Sequence, residues 1–354
     1  MQDAIHILDG HNDTLTRIFP PTDDAVTRSI VKRDTQGHID LPRAAEGDLA
    51  GGFFAIFIPS ETKSEVRPIT ANDGTTIDAL CADPLDRDVA RVQAESVLRR
   101  TADMFNEADG AIRLVRTVKD IEGCLADNVT ACILHYEGVE MLREDLSDLE
   151  ADYHRGLRSL GPVWSRSNAF AHGVPFANPC TPDIGPGLTD AGKDLVRRCN
   201  DLGILLDVSH LNYRGFMDIA ELTTAPVVAT HCGVHAICPS TRNLLDDQLT
   251  IIKESNGIVG VNFHVEFLRP DGLEDADVPL SVIADHLDYM VDHMGIDHVA
   301  LGSDFDGATM PKELGDCTGL PKLVDVLRDR GWSDESLIAM AHGNWLRVLG
   351  ETWR

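Results

Sequence analysis

Positive charge is what this chain has least of. Lys and Arg together number 31 against 58 Asp and Glu, which gives a formal charge of −27 over 354 residues. Phosphate binding needs a positive footprint, so the balance argues against a nucleic-acid partner and against an anionic membrane surface. Long hydrophobic runs are also missing. None approaches the roughly 20 residues of a membrane span, so no membrane anchor is expected in this chain. The opening "MQDAIHILDG" lacks the basic head and sustained apolar core of a signal peptide, and the end "GNWLRVLGETWR" lacks an anchor tail. The expected location is cytoplasmic. Eight cysteines occur, at 81, 124, 132, 180, 199, 232, 238 and 317, yet none forms a CxxC pair. In a chain of this size they read as free, mostly buried thiols in a reducing compartment. Cys232 and Cys238 lie in a histidine-rich segment, where a local Cys-His zinc site is the alternative to core thiols. A GxGxxG loop is absent too, which argues against an open doubly wound dinucleotide fold.

What is present is a globular composition, 43% hydrophobic and 25% charged. Apolar, β-rich segments recur at 4–9, 51–58, 130–136, 157–164, 203–210, 226–231, 257–264 and 298–305. Several are nearly continuous apolar runs, as strands covered on both faces should be. Amphipathic helical patterns lie between them at 88–108, 188–203, 242–257, 279–295, 320–331 and 333–350. A Thr-Asp start and a Gly stop mark the second of these. Eight strands alternating with helices predict an α/β fold, a (β/α)8 TIM barrel in a single domain over 1–354. The polar, Gly- and Pro-containing stretches 20–50, 59–80 and 165–188 are expected as long loops over one rim.

In such a barrel the C-terminal strand ends share one rim, where active sites are built. Polar residues recur there. Strand one ends in "DGHND" with His11 and Asp13, the third in "LHYEG" with Glu137, the fifth in "LLDVSH" with His210. The sixth ends in "VVATHC" with His231 and the eighth in "LGSDFDG" with Asp304. Any one of these alone reads as an ordinary turn or surface residue. Three imidazoles and two carboxylates at one rim suit borderline metals such as zinc, and they are too many for one tetrahedral ion with an open position. Two ions sharing Glu137 as a bridge fit better, with a water or hydroxide held between them.

The chain also resembles the membrane (renal-type) dipeptidases, the M19 metallopeptidases of the amidohydrolase group. The resemblance runs over nearly the whole chain and rests on "DGHND" (9–13), "YEG" (136–138), "GLTDAGKDLVRRCNDLGILLDVSH" (187–210), "THC…STRN" (230–243), "GSDFDG" (302–307) and "GNWLRV" (343–348). It implies two zinc ions per chain. His11, Asp13 and Glu137 would hold one, and Glu137, His210 and His231 the other. Arg242 would meet the substrate's terminal carboxylate as a guanidinium fork, and Asp304 would carry the proton from water to the departing amine. The implied activity is hydrolysis of dipeptides, with a D residue tolerated at the C-terminal position.

One departure stands out. Renal-type members carry a histidine after the fourth strand, where this chain has Trp164, whose indole N–H can donate only one hydrogen bond. His172 on the following loop could reach in instead, or be a plain loop histidine. Both features resemble a bacterial subgroup. Asp207 is a candidate acceptor for the outer nitrogens of the ligand histidines. Asp9 and Asp306 read as turn or supporting carboxylates. The rival function is another binuclear hydrolase acting on amides or lactones, although such relatives usually open with His-x-His rather than His-x-Asp. A non-catalytic binding protein is the remaining alternative. A homodimer is the default assembly.

Overall fold

The computed structural model describes residues 5–19, 28–60 and 64–354. Residue 4 of the first expected strand and the parts 20–27 and 61–63 of two expected loops lie outside the described residues. Among the described residues eleven strands are formed: β1 Ile7–Asn12, β2 Leu49–Phe57, β3 Glu65–Thr70, β4 Thr76–Cys81, β5 Ile112–Leu114, β6 Thr130–Glu137, β7 Leu157–Gly161, β8 Leu205–Leu206, β9 Val228–Cys232, β10 Ile258–Val261 and β11 Val299–Leu301. All eight expected strand segments contain one of them.

The expected closed (β/α)8 barrel is corrected by the hydrogen-bond ladders. The chain forms an open, curled parallel sheet, β1-β2-β6-β7-β8, with β5 on the first half of the β6 edge. A separate three-stranded parallel sheet runs β11-β10-β9. Between the two sheets there are only isolated bridges, Asp207 with Val228 and Asn12 with Phe305. The physical reason is visible at both seams. β8 has two residues and β11 three, and each pairs on one side only, with β7 and β10, without extending a second ladder across the seam. Buried carboxylates take backbone N–H groups there instead. Asp207 Oδ1 accepts from Thr230 N at 2.8 Å, and Asp9 Oδ1 accepts from Ser303 N at 2.7 Å.

The curl still gathers the strand ends. Leu8, Phe53, Ile133, Leu205, Val228, Ile258 and Ala300, from seven strands, form one buried cluster with Trp345 and Val348 of the C-terminal helix. Apolar side chains of this size each contribute about 1.5–3 kcal/mol when fully buried. Trp345 lies beneath Gly10, where an added Cβ would collide with its ring and with the Thr230 carbonyl. Glycine is therefore required in "DGHND" for β1 to pass so close to β9. The larger cluster fills the space between sheets and helices.

The six expected helices appear, with boundaries shifted. The longest is Arg87–Glu107, N-capped by Asp86, whose carboxylate accepts from the amides of Asp88 and Val89. The last expected helix is interrupted by a π-turn at Ala339–Gly343. Helices Val118–Asp127, Leu149–Arg155 and Tyr213–Leu222 were not anticipated. The stretch 59–80 is not all loop either, because it carries the antiparallel hairpin of β3 with β4. Among the described residues no helix is long and apolar enough to cross a membrane. All eight cysteines are free, and seven are buried.

Candidate metal centre and substrate cavity

β1, β6 and β9 and the short turn after β8 deliver His11, Asp13, Glu137, His231 and His210 to one buried cluster. On β6, alternation sends His135 and Glu137 to the same face. Glu137 is divided between two groups of neighbours. Its Oε1 lies 2.9 Å from His210 Nε2 and 3.6 Å from His231 Nε2, while its Oε2 lies 3.6 Å from His11 Nε2. His11 Nε2 is also 3.5 Å from Asp13 Oδ2. Ligands about 2.0 Å from a tetrahedral ion are separated by roughly 3.3 Å, so these spacings suit two ions sharing one carboxylate. The groups His11-Asp13-Glu137 and Glu137-His210-His231 each offer three ligand atoms within 4.8 Å of one another.

The protonation pattern supports the same fit. Burial, reinforced by nearby positive charge, holds His210 and His231 well below the usual imidazole range. Thr230 Oγ1 donates to Asp207 Oδ2 at 2.6 Å and lies 2.8 Å from His231 Nδ1. The hydroxyl proton is committed to Asp207, so His231 must donate from Nδ1 and present a bare Nε2. Ser165 Oγ holds His210 Nδ1 at 2.7 Å. The two Nε2 atoms face each other at 3.0 Å, with Glu137 Oε1 2.9 Å from that of His210, so all three ligand atoms could meet one cation. Burial opposes a charge on His11, but the Glu137 and Asp13 carboxylates overcome it and push its pKa up to about 10. Both ring nitrogens of His11 and Asp13 Oδ1 are buried without a hydrogen-bond partner. The carboxylates that draw a proton onto His11 would draw a cation in its place, and with the neutral His210 and His231 this donor set fits a pair of divalent metals.

The backbone is strained at the site. His210, Asp304 and Asp306 have φ of 66°, 64° and 69°, the left-handed region that non-glycine residues rarely occupy and that clusters at functional sites. Asp304 lines the cavity, with Oδ2 accepting from Asn262 Nδ2 at 2.9 Å. Asp306 supports the turn, accepting from His38 N at 2.6 Å and Thr14 Oγ1 at 2.9 Å. A Cβ on Gly307 would collide with Asp13 Oδ2 and Asp304 Oδ1.

Above the cluster opens a cavity of about 330 Å3. Trp164 is half-buried in its wall, with ring centroids 5.1 Å from Phe57, 5.6 Å from Phe176 and 5.9 Å from His210. Arg242 lies behind that wall. Its guanidinium is 5.1 Å from the Phe267 ring and donates to His231 O at 3.2 Å, and its Nε is buried without a partner. His172 is not among the cavity-lining residues, and its Nδ1 lies 2.9 Å from Ser167 Oγ on its own loop. Asp207 does not touch His231 directly. It stands 4.0 Å from His231 Nδ1, with the Thr230 hydroxyl between them.

Sequence reasoning missed three neighbours. His135 is fully buried beside His11, with Nδ1 2.8 Å from Ser159 Oγ and Nε2 3.7 Å from Asp207 Oδ2. Its position two residues before Glu137 was the available signal. His264, at the end of the "VNFH" segment, and Arg17, four residues after Asp13, both line the cavity.

With this geometry in view, the relatives are informative. Residues 1–353 match the membrane dipeptidase family, peptidase family M19, and the chain belongs to that family. It is a metal-dependent dipeptidase with a two-metal cluster. It is similar to a metallopeptidase from Rhodobacter sphaeroides, solved with a phosphinate mimic of the dipeptide L-Ala-D-Ala. The match is 42% identical with a TM-score of 0.91, over 99% of this chain and 100% of the other. The structure of dipeptidase AC, also of family M19, is 42% identical with a TM-score of 0.89, over 99% of each chain. A Klebsiella pneumoniae protein from the region 5′ of pqqA is 49% identical over 245 residues, 69% of this chain and 90% of its own length.

Proposed function

We propose that the two metals are zinc and that the chain cleaves dipeptides, including those with a D residue at the C-terminal position. The observation that carries the two-site reading is Glu137, with one oxygen toward His210 and His231 and the other toward His11. Zinc is supported by the donor chemistry of three imidazoles with carboxylates. Acceptance of a D residue is supported by the phosphinate mimic of L-Ala-D-Ala carried by the Rhodobacter sphaeroides relative.

His11, Asp13 and Glu137 would hold one ion, and Glu137, His210 and His231 the other. When bound, the ions supply an acidified water and an electrophile for the peptide carbonyl. Asp304 takes the water's proton and returns it to the departing amine. Asn262 fixes one of its oxygens, which leaves the other for the transfer. The family resemblance gives the terminal carboxylate to Arg242, which does not line the cavity itself but lies against the cavity-lining Phe267 with its Nε still without a partner. Trp164, Phe57 and Phe176 shut water away from the reacting bond. A homodimer accompanies this reading on grounds of symmetry frequency alone, and analytical ultracentrifugation reads it directly.

The test is a panel of L,L and L,D dipeptides beside simple lactones and acyl amides. Turnover of the dipeptides alone supports the reading. Turnover of lactones or acyl amides with dipeptides untouched moves the chain to the rival hydrolase class.

A further inference from the structure

The cavity has two unlike sides. Phe57, Trp164, Phe176 and Phe267 form the aromatic side, and Asp13, Glu137, Asp304 and Asp306 supply the acids. At the mouth stands Arg17, exposed, the one Lys or Arg among the described residues lining this cavity. Its backbone N–H donates to Asp13 O at 2.9 Å, which ties its position to the metal cluster.

Several arginines elsewhere in this acidic chain have carboxylate partners. Arg43 pairs with Asp40 at 2.7 Å, Arg91 with Asp152 at 2.7 Å and Arg166 with Glu140 at 2.7 Å. Arg17 makes no ion pair and no side-chain hydrogen bond among the described residues. Asp306 lines the same cavity, but its two oxygens are taken by His38 N and Thr14 Oγ1.

The cavity continues past Arg17, Asp306, Gly307 and Ala308 into an open recess of about 430 Å3, walled further by His38, Thr309 and Met310. His38 Nδ1 accepts from Asp306 N at 2.8 Å, so the neutral ring keeps its proton on Nε2 as a donor. Burial favours that neutral ring, although the Asp306 charge opposes it. The recess therefore adjoins the substrate cavity, carries a guanidinium unpaired among the described residues and has a second donor in its wall.

We propose that this recess receives an acidic side chain of the substrate, with Arg17 as its charge partner, so that the enzyme favours dipeptides containing Asp or Glu. The inference rests on the dipeptidase reading above. A guanidinium fork matches a carboxylate in two hydrogen bonds and a carboxamide less well, and such a substrate would give Arg17 the partner it lacks among the described residues.

The experiment compares Asp with Asn and Glu with Gln, at each of the two substrate positions. It measures both kcat/KM of the dipeptides and calorimetric affinity of the matching non-hydrolysable phosphinate analogues. The zinc-loaded wild type, Arg17→Met and Arg17→Lys are run at low salt, and the acid-to-amide ratio is taken within each enzyme. The expected wild-type ratio is about two- to fivefold at one substrate position, which identifies the residue whose side chain enters the recess. It falls to about one in Arg17→Met, is partly kept in Arg17→Lys, and shrinks as salt is raised. A flat ratio in the wild type, or one that survives Arg17→Met, overturns the proposal. A flat wild-type ratio with neutral dipeptides still cleaved overturns the acidic-substrate proposal and leaves the dipeptidase reading standing. Failure of neutral and acidic dipeptides alike overturns the dipeptidase reading with it.

Discussion

Thr230→Val removes one hydroxyl and almost no volume, and it tests how the metal centre is tuned from beneath. The Thr230 hydroxyl is fully buried between Asp207 Oδ2, at 2.6 Å, and His231 Nδ1, at 2.8 Å. Without it, His231 Nδ1–H loses its acceptor and Asp207 loses one of its donors. Asp207 keeps the amides of Ser209 and Thr230, at 2.9 and 2.8 Å, so its loss is partial. A buried group left unpaired costs roughly 1–3 kcal/mol, which puts the change near 2 kcal/mol in total. At about 2.1 cal/mol/K of unfolding entropy per residue, that lowers Tm of a chain this long by about 3 °C. The functional effect is larger. Supporting partners of metal-bound histidines are typically worth 10- to 100-fold in affinity or activity. Zinc titration against a competing chelator should show weakened binding in Thr230→Val, with kcat/KM reduced in proportion and Thr230→Ser restoring both. Unchanged zinc affinity and turnover in a folded Thr230→Val protein would refute the tautomer argument.

Further expectations are independent of one another. Gly307→Ala drives a Cβ into Asp13 and Asp304. Displacing such groups by about 1 Å costs on the order of 100-fold, so kcat/KM should drop by that order while far-UV circular dichroism stays native. Ser303→Ala removes the hydroxyl that donates to Asp9 Oδ2 at 2.7 Å across the seam between the two sheets. Unfolding in urea should show a loss of about 1–2 kcal/mol, and no loss would mean the seam does not depend on that bond. His286 is buried, with Nδ1 accepting from Val234 N and Nε2 donating to Leu268 O, and burial lowers its pKa to about 4. Above pH 6.5 both folded and unfolded states hold it neutral, and its contribution is intact. Below that the unfolded chain takes up a proton the folded chain refuses, so stability falls by up to about 3 kcal/mol between pH 6.5 and 4. His286→Gln keeps a donor and an acceptor without the titration and should flatten that part of the urea-midpoint profile against pH.

The sequence displayed the site more clearly than the sheet that holds it. Metal-capable residues recur at the ends of apolar segments, and that pattern survives any error in strand length. His11, Asp13, Glu137, His210 and His231 are accordingly found together. The closure of the barrel was not legible, because it depends on whether short strands continue their ladders. "GILLDVSH" reads as eight residues of strand but pairs for two, since the Asp207 side chain takes over the bonding at Thr230. The hairpin inside 59–80 was hidden by its exposure. Its strands are charged and interrupted by Pro68, so no buried face announces them. Helices such as Val118–Asp127 are short and leave a weak period, although Thr117 and Asp120 form a capping box that could have marked the start. In "TACILHY" the near-continuous apolar run concealed which residues point inward, and His135 was lost in it. Arg17 gave no signal because nothing in a five-residue helix distinguishes a cavity-facing arginine from a solvated one.

The central claim is a shared two-metal centre that performs peptide hydrolysis. Its most direct test is elemental analysis of wild-type and Glu137→Gln protein, each dialysed against excess zinc, together with L-Ala-D-Ala turnover. The account predicts about two zinc ions per wild-type chain. It also predicts turnover abolished by a chelator and restored by zinc, and a clear loss of bound zinc and of turnover in Glu137→Gln. A wild-type chain that binds one zinc or none, or that cleaves the dipeptide undiminished after chelation, would contradict it.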